Sequence, residues 1–270
     1  MSTKRFLGYD TDEEGHLIVN RQQAKIVVRL YEEFLSGKTV DYIARIFKAE
    51  KIKNWDGKCN WQASTLGSML RNEKYMGNAI LQKSYTADFL SKRRVMNDGS
   101  VQMYHIEEDH EPIVDIETWE AVQAELERRA QYCKDHFTNA YGQMSEKNPF
   151  YAKIICENCG NIYSRVKYTT RASTKITKWR CGSCNKANGH KVCSNRYVTD
   201  ETSTKLFVMS WNEIVEHQAD YQERWQENIK GDDVLLRYKT KLVMKHAAAV
   251  TINEFDSTLM MVVMDHVTVF

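Results

Sequence analysis

Five of the seven cysteines lie in the second half of the chain, at spacings that suit metal binding. Cys156 and Cys159 form one Cys-x-x-Cys pair followed directly by Gly160, and Cys181 and Cys184 form a second pair. Thiolate pairs of this kind hold structural zinc, and glycine permits the tight turn of a zinc knuckle. A tetrahedral zinc takes four ligands. The pattern therefore predicts one structural zinc site and leaves one cysteine over.

The identity of the fourth ligand stays open at the level of spacing. The two Cys-x-x-Cys pairs, 21 residues apart, match the pattern of a zinc ribbon. However, His190 and Cys193 follow Cys184 closely and could reach the same metal, so spacing does not choose between Cys184 and Cys193. A redox dithiol is the competing interpretation of such pairs. Neither pair lies in a thioredoxin-like βαβ pattern, so the sequence favours zinc.

The segment between the two pairs alternates like two β-strands and is basic. Its sequence over residues 162–179 is IYSRVKYTTRASTKITKW. A basic hairpin held by zinc suits the groove or the backbone of a nucleic acid. The residues predicted to contact DNA from this hairpin are Arg165, Lys167, Arg171 and Lys175.

The net charge of +2 conceals a strongly uneven distribution. Residues 156–197 carry nine lysines and arginines against one acidic residue, and residues 38–94 carry twelve against five. Residues 198–235 carry three basic residues against nine acidic ones. Two basic segments and one acidic arm indicate two surfaces for a polyanion and a third that avoids it, although solvated clusters of charge are the simpler alternative.

Several classes of protein are excluded by what the sequence lacks. No apolar run approaches the ~18 residues of a membrane span, and the first residues lack the apolar core of a signal peptide. An odd number of cysteines without such a signal argues against a disulfide framework and predicts a cytoplasmic protein. We find no phosphate-binding loop, no G-x-S-x-G and no H-E-x-x-H motif. His105 and His110, among acidic residues, match no metalloenzyme spacing, so we predict a structural or solvated role.

The N-terminal third predicts three short helices. Apolar residues recur at helical spacing over residues 21–36 and again after Thr39, and Gly37 ends the first helix. A third helix follows Trp61. Three such helices resemble a helix-turn-helix unit, whose last helix enters the major groove of DNA. The predicted DNA-contacting residues on and after this helix are Gln62, Ser64, Thr65, Arg71 and Lys74.

The remaining pattern predicts strands over residues 77–106, a helix from Asp115 to about Tyr132, and a polar linker over residues 136–149. Apolar residues then step by three and four on both sides of a turn at residues 230–233, which predicts an antiparallel helical hairpin, either packed helices or a coiled coil. A short helix and a strand are expected at the end of the chain.

Four segments of the chain carry a resemblance to a known family. They are GYD at residues 8–10, the helix pair over residues 27–52, residues 61–81, and residues 110–126. The order Leu-Arg-Asn-x-x-Tyr-x-Gly at residues 70–77 is specific in combination. These segments resemble the recombinase domain of large serine recombinases, a family of phage integrases and mobile-element recombinases. Residues 150–206 resemble the zinc ribbon of that family, and the helical arm resembles the coiled coil of its integrase branch.

The resemblance implies a ligand set and a role. It selects Cys156, Cys159, Cys181 and Cys193 as ligands of a structural Zn²⁺ and makes Cys184 the spare cysteine. The family's catalytic domain precedes the recombinase domain, whereas seven residues precede Gly8 here, and no serine lies in a recognisable catalytic setting. We therefore expect no catalytic residues in this chain, and we expect it to be the DNA-binding portion of a longer recombinase.

The expected fold is α+β and multidomain: a helix-rich, helix-turn-helix-like recombinase domain with a small sheet, a zinc β-ribbon, and an antiparallel helical hairpin or coiled coil. The expected boundaries are 1–135, 136–149, 150–206, 207–252 and 253–270. The expected partners are double-stranded DNA, at a recombination half-site, and a second copy through the hairpin. The alternatives are a stand-alone zinc-ribbon DNA-binding regulator and a protein-interaction scaffold.

Overall fold

The computed structural model describes residues 6–88, 90, 92–138, 141, 148–169, 173–184, 193–248 and 251–270. The chain divides into two compact units. One comprises Met1–Glu32 with Ala44–Glu120, and the other comprises Glu33–Ile43 with Ala121–Phe270.

The elements up to residue 135 are short strands and four helices. In chain order they are β1 (Tyr9–Thr11), β2 (Leu17–Val19), α1 (Arg21–Leu35), α2 (Val40–Ala49), α3 (Ala63–Leu70), a 3₁₀ turn (Glu73–Met76), β3 (Ala79–Leu81), β4 (Ser84–Asp88), β5 (Arg93–Met96), β6 (Tyr104–Ile106) and α4 (Ile116–Asp135). The strands pair antiparallel as β1 with β2, β3 with β6, and β4 with β5. The predicted helices and strands are confirmed.

The first unit is built around the apolar face of α1. Leu30 and Tyr31 are completely buried, as the helical spacing predicts. The Tyr31 hydroxyl donates to the carbonyl oxygen of Met69 over 3.1 Å, which fixes the end of α3 against α1. The rings of Phe47 and Trp61 pack edge to face 5.3 Å apart. These contacts bury the apolar side of α3 and leave its polar side to solvent.

The second unit continues with small sheets and four more helices. They are β7 (Ile154–Cys156), β8 (Tyr163–Thr169), β9 (Lys175–Cys181), a 3₁₀ turn (Gly182–Cys184), β10 (Val198–Thr199), α5 (Asp200–Glu216), α6 (Gln218–Lys230), α7 (Val234–Ala247), α8 (Ser257–Val263) and β11 (Val267–Val269). β8, β9 and β10 form an antiparallel sheet with β9 in the centre, and β11 pairs parallel with β7.

The sheets and helices of the second unit share one apolar core. Trp179 on β9 is fully buried, and the core also contains Phe150, Phe207, Trp211 and Met260. β8 and β9 therefore do not form an isolated finger. Their buried side chains share this core with α5 and α8, and α8 with β11 is the short helix and strand that the sequence predicts.

Two details differ from the predicted arm and linker. The first arm helix is divided at His217, whose φ of −111° and ψ of 33° end α5 and begin α6. α6 and α7 run antiparallel, since Gln218 donates to the Ala247 carbonyl near one end of the pair and Asn228 to Thr240 nearer the turn. Tyr141, inside the predicted linker, is buried and donates to the Asp265 carboxylate over 3.1 Å.

Candidate metal centre and nucleic-acid interface

Four cysteine side chains from three segments of the ribbon meet at one point. The sulfur atoms of Cys156, Cys159, Cys181 and Cys193 all lie within 4.8 Å of one another. The Sγ atoms of Cys156 and Cys193 are 3.7 Å apart, and those of Cys159 and Cys181 are 3.3 Å apart. Four sulfurs around a tetrahedral zinc, at Zn–S bonds of about 2.3 Å, would be separated by roughly 3.8 Å. The donor set and its spacing therefore fit a zinc-sized ion.

The backbone of the knuckle is shaped for this arrangement. β7 ends at Cys156, and the chain turns so that the Gly160 N–H donates to the Cys156 carbonyl over 2.8 Å. Gly160 has φ of +69°, in the left-handed region that glycine adopts without strain. The Cys156 N–H donates back to the Asn161 carbonyl over 2.9 Å. The first Cys-x-x-Cys pair thus points both thiols to the same side.

Two asparagine side chains support the sulfurs from outside. The Asn195 amide lies 3.3 Å from the Cys156 sulfur and also donates to the Val269 carbonyl over 2.8 Å. The Asn161 amide lies 3.8 Å from the Cys159 sulfur and donates to the Ser183 hydroxyl over 2.7 Å. Such donors orient metal ligands and stabilise thiolate charge. Spacing did not single out these asparagines as part of the site, because their contribution depends on contacts across the fold.

The thiols of the cluster differ in acidity. Burial opposes ionisation of Cys159, but hydrogen bonds from the Asn161 backbone and from Cys181 and Ser183 lower the pKa of Cys159 to about 6. Burial, followed by the hydrogen bond with Cys159, raises the pKa of Cys181. One thiolate therefore forms readily beside a neutral thiol, and a bound cation would favour ionisation of the remaining thiols.

Cys184 is buried in the same apolar core but does not belong to the group of four. It lies at the end of the 3₁₀ turn that follows Cys181. The geometry thus brings together the set that the family resemblance implies. The ligand assignment itself stays a prediction. His190, the other alternative, lies outside the described residues.

In the basic hairpin next to the cluster, formed by β8 and β9, the predicted DNA-contacting residues that the structure describes lie on one face. Arg165 lies opposite Trp179, Lys167 opposite Thr177, and Thr169 opposite Lys175. Because side chains alternate along a strand, Arg165, Lys167 and Lys175 project from one face. Lys167 and Lys175 are exposed near the far end of the strands. Arg171 lies outside the described residues.

Arg165 differs from its two neighbours because it is engaged within the protein. Its Nη2 lies 2.5 Å from the Asp200 carboxylate, at the first residue of α5. The other oxygen of Asp200 accepts a hydrogen bond from the Trp179 indole over 2.7 Å. Arg165 thus links the ribbon to α5, and Lys167 and Lys175 carry the more accessible charge.

The predicted DNA-contacting residues near α3 fall into an exposed and a half-buried group. Gln62, Ser64 and Arg71 are exposed, whereas Thr65 and Lys74 are half-buried. Gln62 occupies the N-cap position and makes no side-chain cap hydrogen bond. Arg71 donates to the Gly67 carbonyl over 2.9 Å, which holds its guanidinium along the helix. α3 therefore presents a polar surface with one cation at its C-terminal end.

Comparison with known families identifies part of the chain. The family model described as Recombinase matches residues 21–129. Residues 21–129 are a Recombinase domain. This Recombinase domain contains α1, α2 and α3, the strands β3 to β6, and most of α4. Among the described residues, no helix is long and apolar enough to cross a membrane.

Solved structures similar to the chain have low sequence identity. One is described as "Sequence Requirements of the Listeria innocua prophage attP site"; it is 17% identical, with a TM-score of 0.43, and the match covers 77% of this chain and 78% of that one. Another is described as "Crystal Structure of a LSR-DNA Complex"; it is 16% identical, with a TM-score of 0.45, covering 92% and 75%. No curated protein gives a significant match.

Proposed function

We propose that this chain is the DNA-binding portion of a site-specific serine recombinase or integrase and that it recognises a recombination half-site in duplex DNA. One observation carries the proposal: a Recombinase domain and a four-cysteine ribbon with exposed basic strands occur in the same chain. The first supplies the recombinase assignment, and the second supplies an additional positively charged element suited to DNA.

In the Recombinase domain, α3 would enter the major groove. Its polar face offers Gln62 and Ser64, which can hydrogen-bond to base edges or phosphates, and Arg71, whose guanidinium matches guanine or phosphate. The opposite face is held by α1 through Tyr31, so the helix is presented rigidly. A rigid helix loses little conformational entropy on binding, which supports base-specific contacts.

In the ribbon, Lys167 and Lys175 would contact the phosphate backbone and extend recognition beyond the part that α3 reads. Each neutralised phosphate releases counterions, so affinity should fall by about 0.9 log units per log unit of salt for each contact. The strands suit this role because Lys167 and Lys175 project from one face near the far end of the hairpin, where both are exposed.

Cys156, Cys159, Cys181 and Cys193 would hold a structural Zn²⁺. A bound zinc supplies cross-links between β7, the end of β9 and the segment before β10, and no chemistry on DNA. The four cysteines position the basic strands, Asn161 and Asn195 orient the sulfurs, and Trp179 fixes the ribbon on the core.

The helical arm would serve association. We propose that α6 and α7 form a coiled-coil hairpin that pairs with a second copy of the chain. The acidic segment 198–235, which includes α6, would avoid DNA. Self-association through this hairpin would also suit a recombinase encoded by a mobile element. In such an enzyme, the subunits that pair would determine which recombination sites are brought together.

Selection from a random duplex DNA library at moderate salt tests the function. We expect enrichment of an extended asymmetric sequence, since two different elements would read different parts of one half-site. A short motif confined to one element would instead favour a stand-alone regulator. Failure of a folded, zinc-loaded protein to enrich any duplex would contradict the proposal and favour a protein-interaction scaffold.

A further inference from the structure

The antiparallel hairpin of β4 and β5 carries a strongly basic tip. Residues 83–96 contain four basic residues, of which three are consecutive at positions 92–94, and one acidic residue, Asp88. Thr86 pairs with Arg94 and Asp88 with Arg93, with an irregularity between Thr86 and Asp88. Such an irregularity bends and twists a hairpin and so redirects its tip.

The tip is exposed to a degree that packing does not explain. Lys92, Arg93 and Arg94 are all exposed. Leu90, at the tip itself, is 90% exposed, and Met96 is 75% exposed. A two-stranded hairpin has little stability of its own in water, so one that holds apolar and cationic side chains in solvent points to a bound partner.

The base of the hairpin is tied to the end of α3. Lys83 forms an ion pair with Glu73, whose side chain is only 4% exposed, and the other Glu73 oxygen accepts from the Ile80 N–H over 3.2 Å. Glu73 opens the 3₁₀ turn that follows α3. The hairpin therefore keeps a fixed position with respect to α3 within the first unit.

A second anchor lies on the other strand. The Asn97 N–H donates to the Lys83 carbonyl over 2.8 Å, and the Asn97 side chain donates to the carbonyls of Gln82 and Val101 over 2.9 and 2.6 Å. Both strands are thus held at the base while the tip projects. The β4–β5 hairpin is thus anchored at its base next to α3. The β-hairpin "wing" of a winged-helix protein lies beside its DNA-recognition helix in the same way.

We propose that this hairpin is a second DNA-binding element of the Recombinase domain, which binds the minor groove next to the major groove that α3 enters. Lys92, Arg93 and Arg94 neutralise phosphates on the groove walls, and Leu90 makes apolar contact inside the groove, where cationic and apolar side chains act together in other minor-groove proteins. The inference rests on the proposed function, because it takes duplex DNA as the ligand.

The test compares two triple variants of the full chain on the selected duplex. One is Lys92→Gln, Arg93→Gln and Arg94→Gln; the control is Arg21→Gln, Lys25→Gln and Lys134→Gln, which removes the same charge from exposed positions on α1 and α4. Dissociation constants are measured over a series of salt concentrations. All six side chains are exposed, so both variants should fold, which thermal unfolding checks.

We expect the hairpin variant to bind about tenfold or more weakly and to lower the salt slope by about 2 to 3, while the control retains wild-type values. Hydroxyl-radical footprinting should show loss of one minor-groove protection, and Leu90→Ser alone should weaken that same protection. Wild-type affinity, slope and footprint in the hairpin variant would overturn this inference and leave the proposed function standing. Failure of the wild-type protein to enrich any duplex would instead overturn the proposed function, and this inference with it.

Discussion

At the scale of single residues, the cysteine cluster depends on which thiols can approach one another after the chain folds. Cys181 and Cys184 are close in sequence and are buried in the same apolar core, but Cys184, at the end of the 3₁₀ turn, is not one of the four grouped sulfurs. Cys193 instead comes within 3.7 Å of Cys156. Cys193 therefore joins the group of four sulfurs, and Cys184 does not.

This difference predicts opposite outcomes for two matched substitutions. Cys193→Ser should abolish stoichiometric zinc binding, because serine is a poor ligand for zinc beside thiolates. Cys184→Ser should retain one zinc per chain and lose only packing stability, about 1 to 2 kcal/mol. Zinc content by elemental analysis and thermal unfolding give both values. Retained zinc in Cys193→Ser together with lost zinc in Cys184→Ser would restore the pairing of two Cys-x-x-Cys motifs.

Arg165 and Lys167 lie on the same face of β8, but we expect their substitutions to affect different properties. Lys167→Ala should weaken DNA binding and lower the salt slope by about 1, with little change in stability. Arg165→Ala removes the ion pair with Asp200, so it should lower the thermal unfolding temperature and change the salt slope less. Equal slopes for Lys167→Ala and wild type would remove this strand from the interface.

The sequence predicts the residue types of the candidate site better than their partners. The first knuckle follows from Cys-x-x-Cys-Gly, since its geometry is local. The fourth thiol follows only from the family resemblance, because the loop before Cys193 has no spacing that fixes its path. The pairing of Arg165 with Asp200 joins residues 35 positions apart and depends on how α5 packs, which local patterns do not reveal.

At the scale of elements, a buried cluster of charges joins α4, α7 and the C-terminal segment within the second unit. The side chain of Glu125 on α4 is 2% exposed and contacts Arg128, Arg129 and Lys239 over 2.6 to 3.0 Å. Arg128 continues to Asp265 over 2.8 Å. Glu125 is therefore the central anion of a network that fixes three elements. Helical spacing does not predict this network, because its charged residues come from separate parts of the sequence.

Glu125→Gln should destabilise the second unit by about 3 kcal/mol or more. The substitution leaves three cations near one another without their shared anion, and breaking one partner of a buried pair is costly. Denaturant unfolding, followed by tryptophan fluorescence, measures this loss. Glu127→Gln, at an exposed position on the same helix, is the control and should be near neutral. Equal stability of the two variants would show that the network contributes little.

The same network predicts a dependence of stability on pH. Burial favours the neutral acid, but the hydrogen bond from Arg128 and the charges of Arg129 and Lys239 lower the pKa of Glu125 to about 2. A depressed folded-state pKa contributes stability above the unfolded value, near 4.5, and this contribution is lost as pH falls towards 2. Between pH 5 and pH 3, the thermal unfolding temperature should fall more steeply for wild type than for Glu125→Gln. Parallel curves would contradict this assignment.

Helix and strand positions were largely predictable because apolar periodicity acts locally. Val27, Leu30 and Tyr31 are buried as their spacing on α1 requires. The division of the arm at His217 was not predictable, since the apolar steps continue through it. The parallel pairing of β11 with β7 joins strands more than 100 residues apart, and strand periodicity does not specify partners.

At the scale of the whole molecule, the near-neutral net charge is the sum of basic segments in both halves of the chain and one acidic segment, residues 198–235. In the first unit, basic residues follow α3 and occupy the tip of the β4–β5 hairpin. In the second unit, they follow the strands that the cysteine cluster holds. This division predicts that DNA contacts come from both units and that only the contacts of the ribbon depend on metal.

The most direct test of this account is to repeat the selection from random duplex DNA with wild type, Cys184→Ser and Cys193→Ser, and to compare the lengths of the enriched motifs. We predict an extended asymmetric motif for wild type and Cys184→Ser. Cys193→Ser, like wild type treated with a zinc chelator, should retain the part read by the Recombinase domain and lose one end. An identical motif from all samples would contradict the claim that a metal-held ribbon reads part of the site.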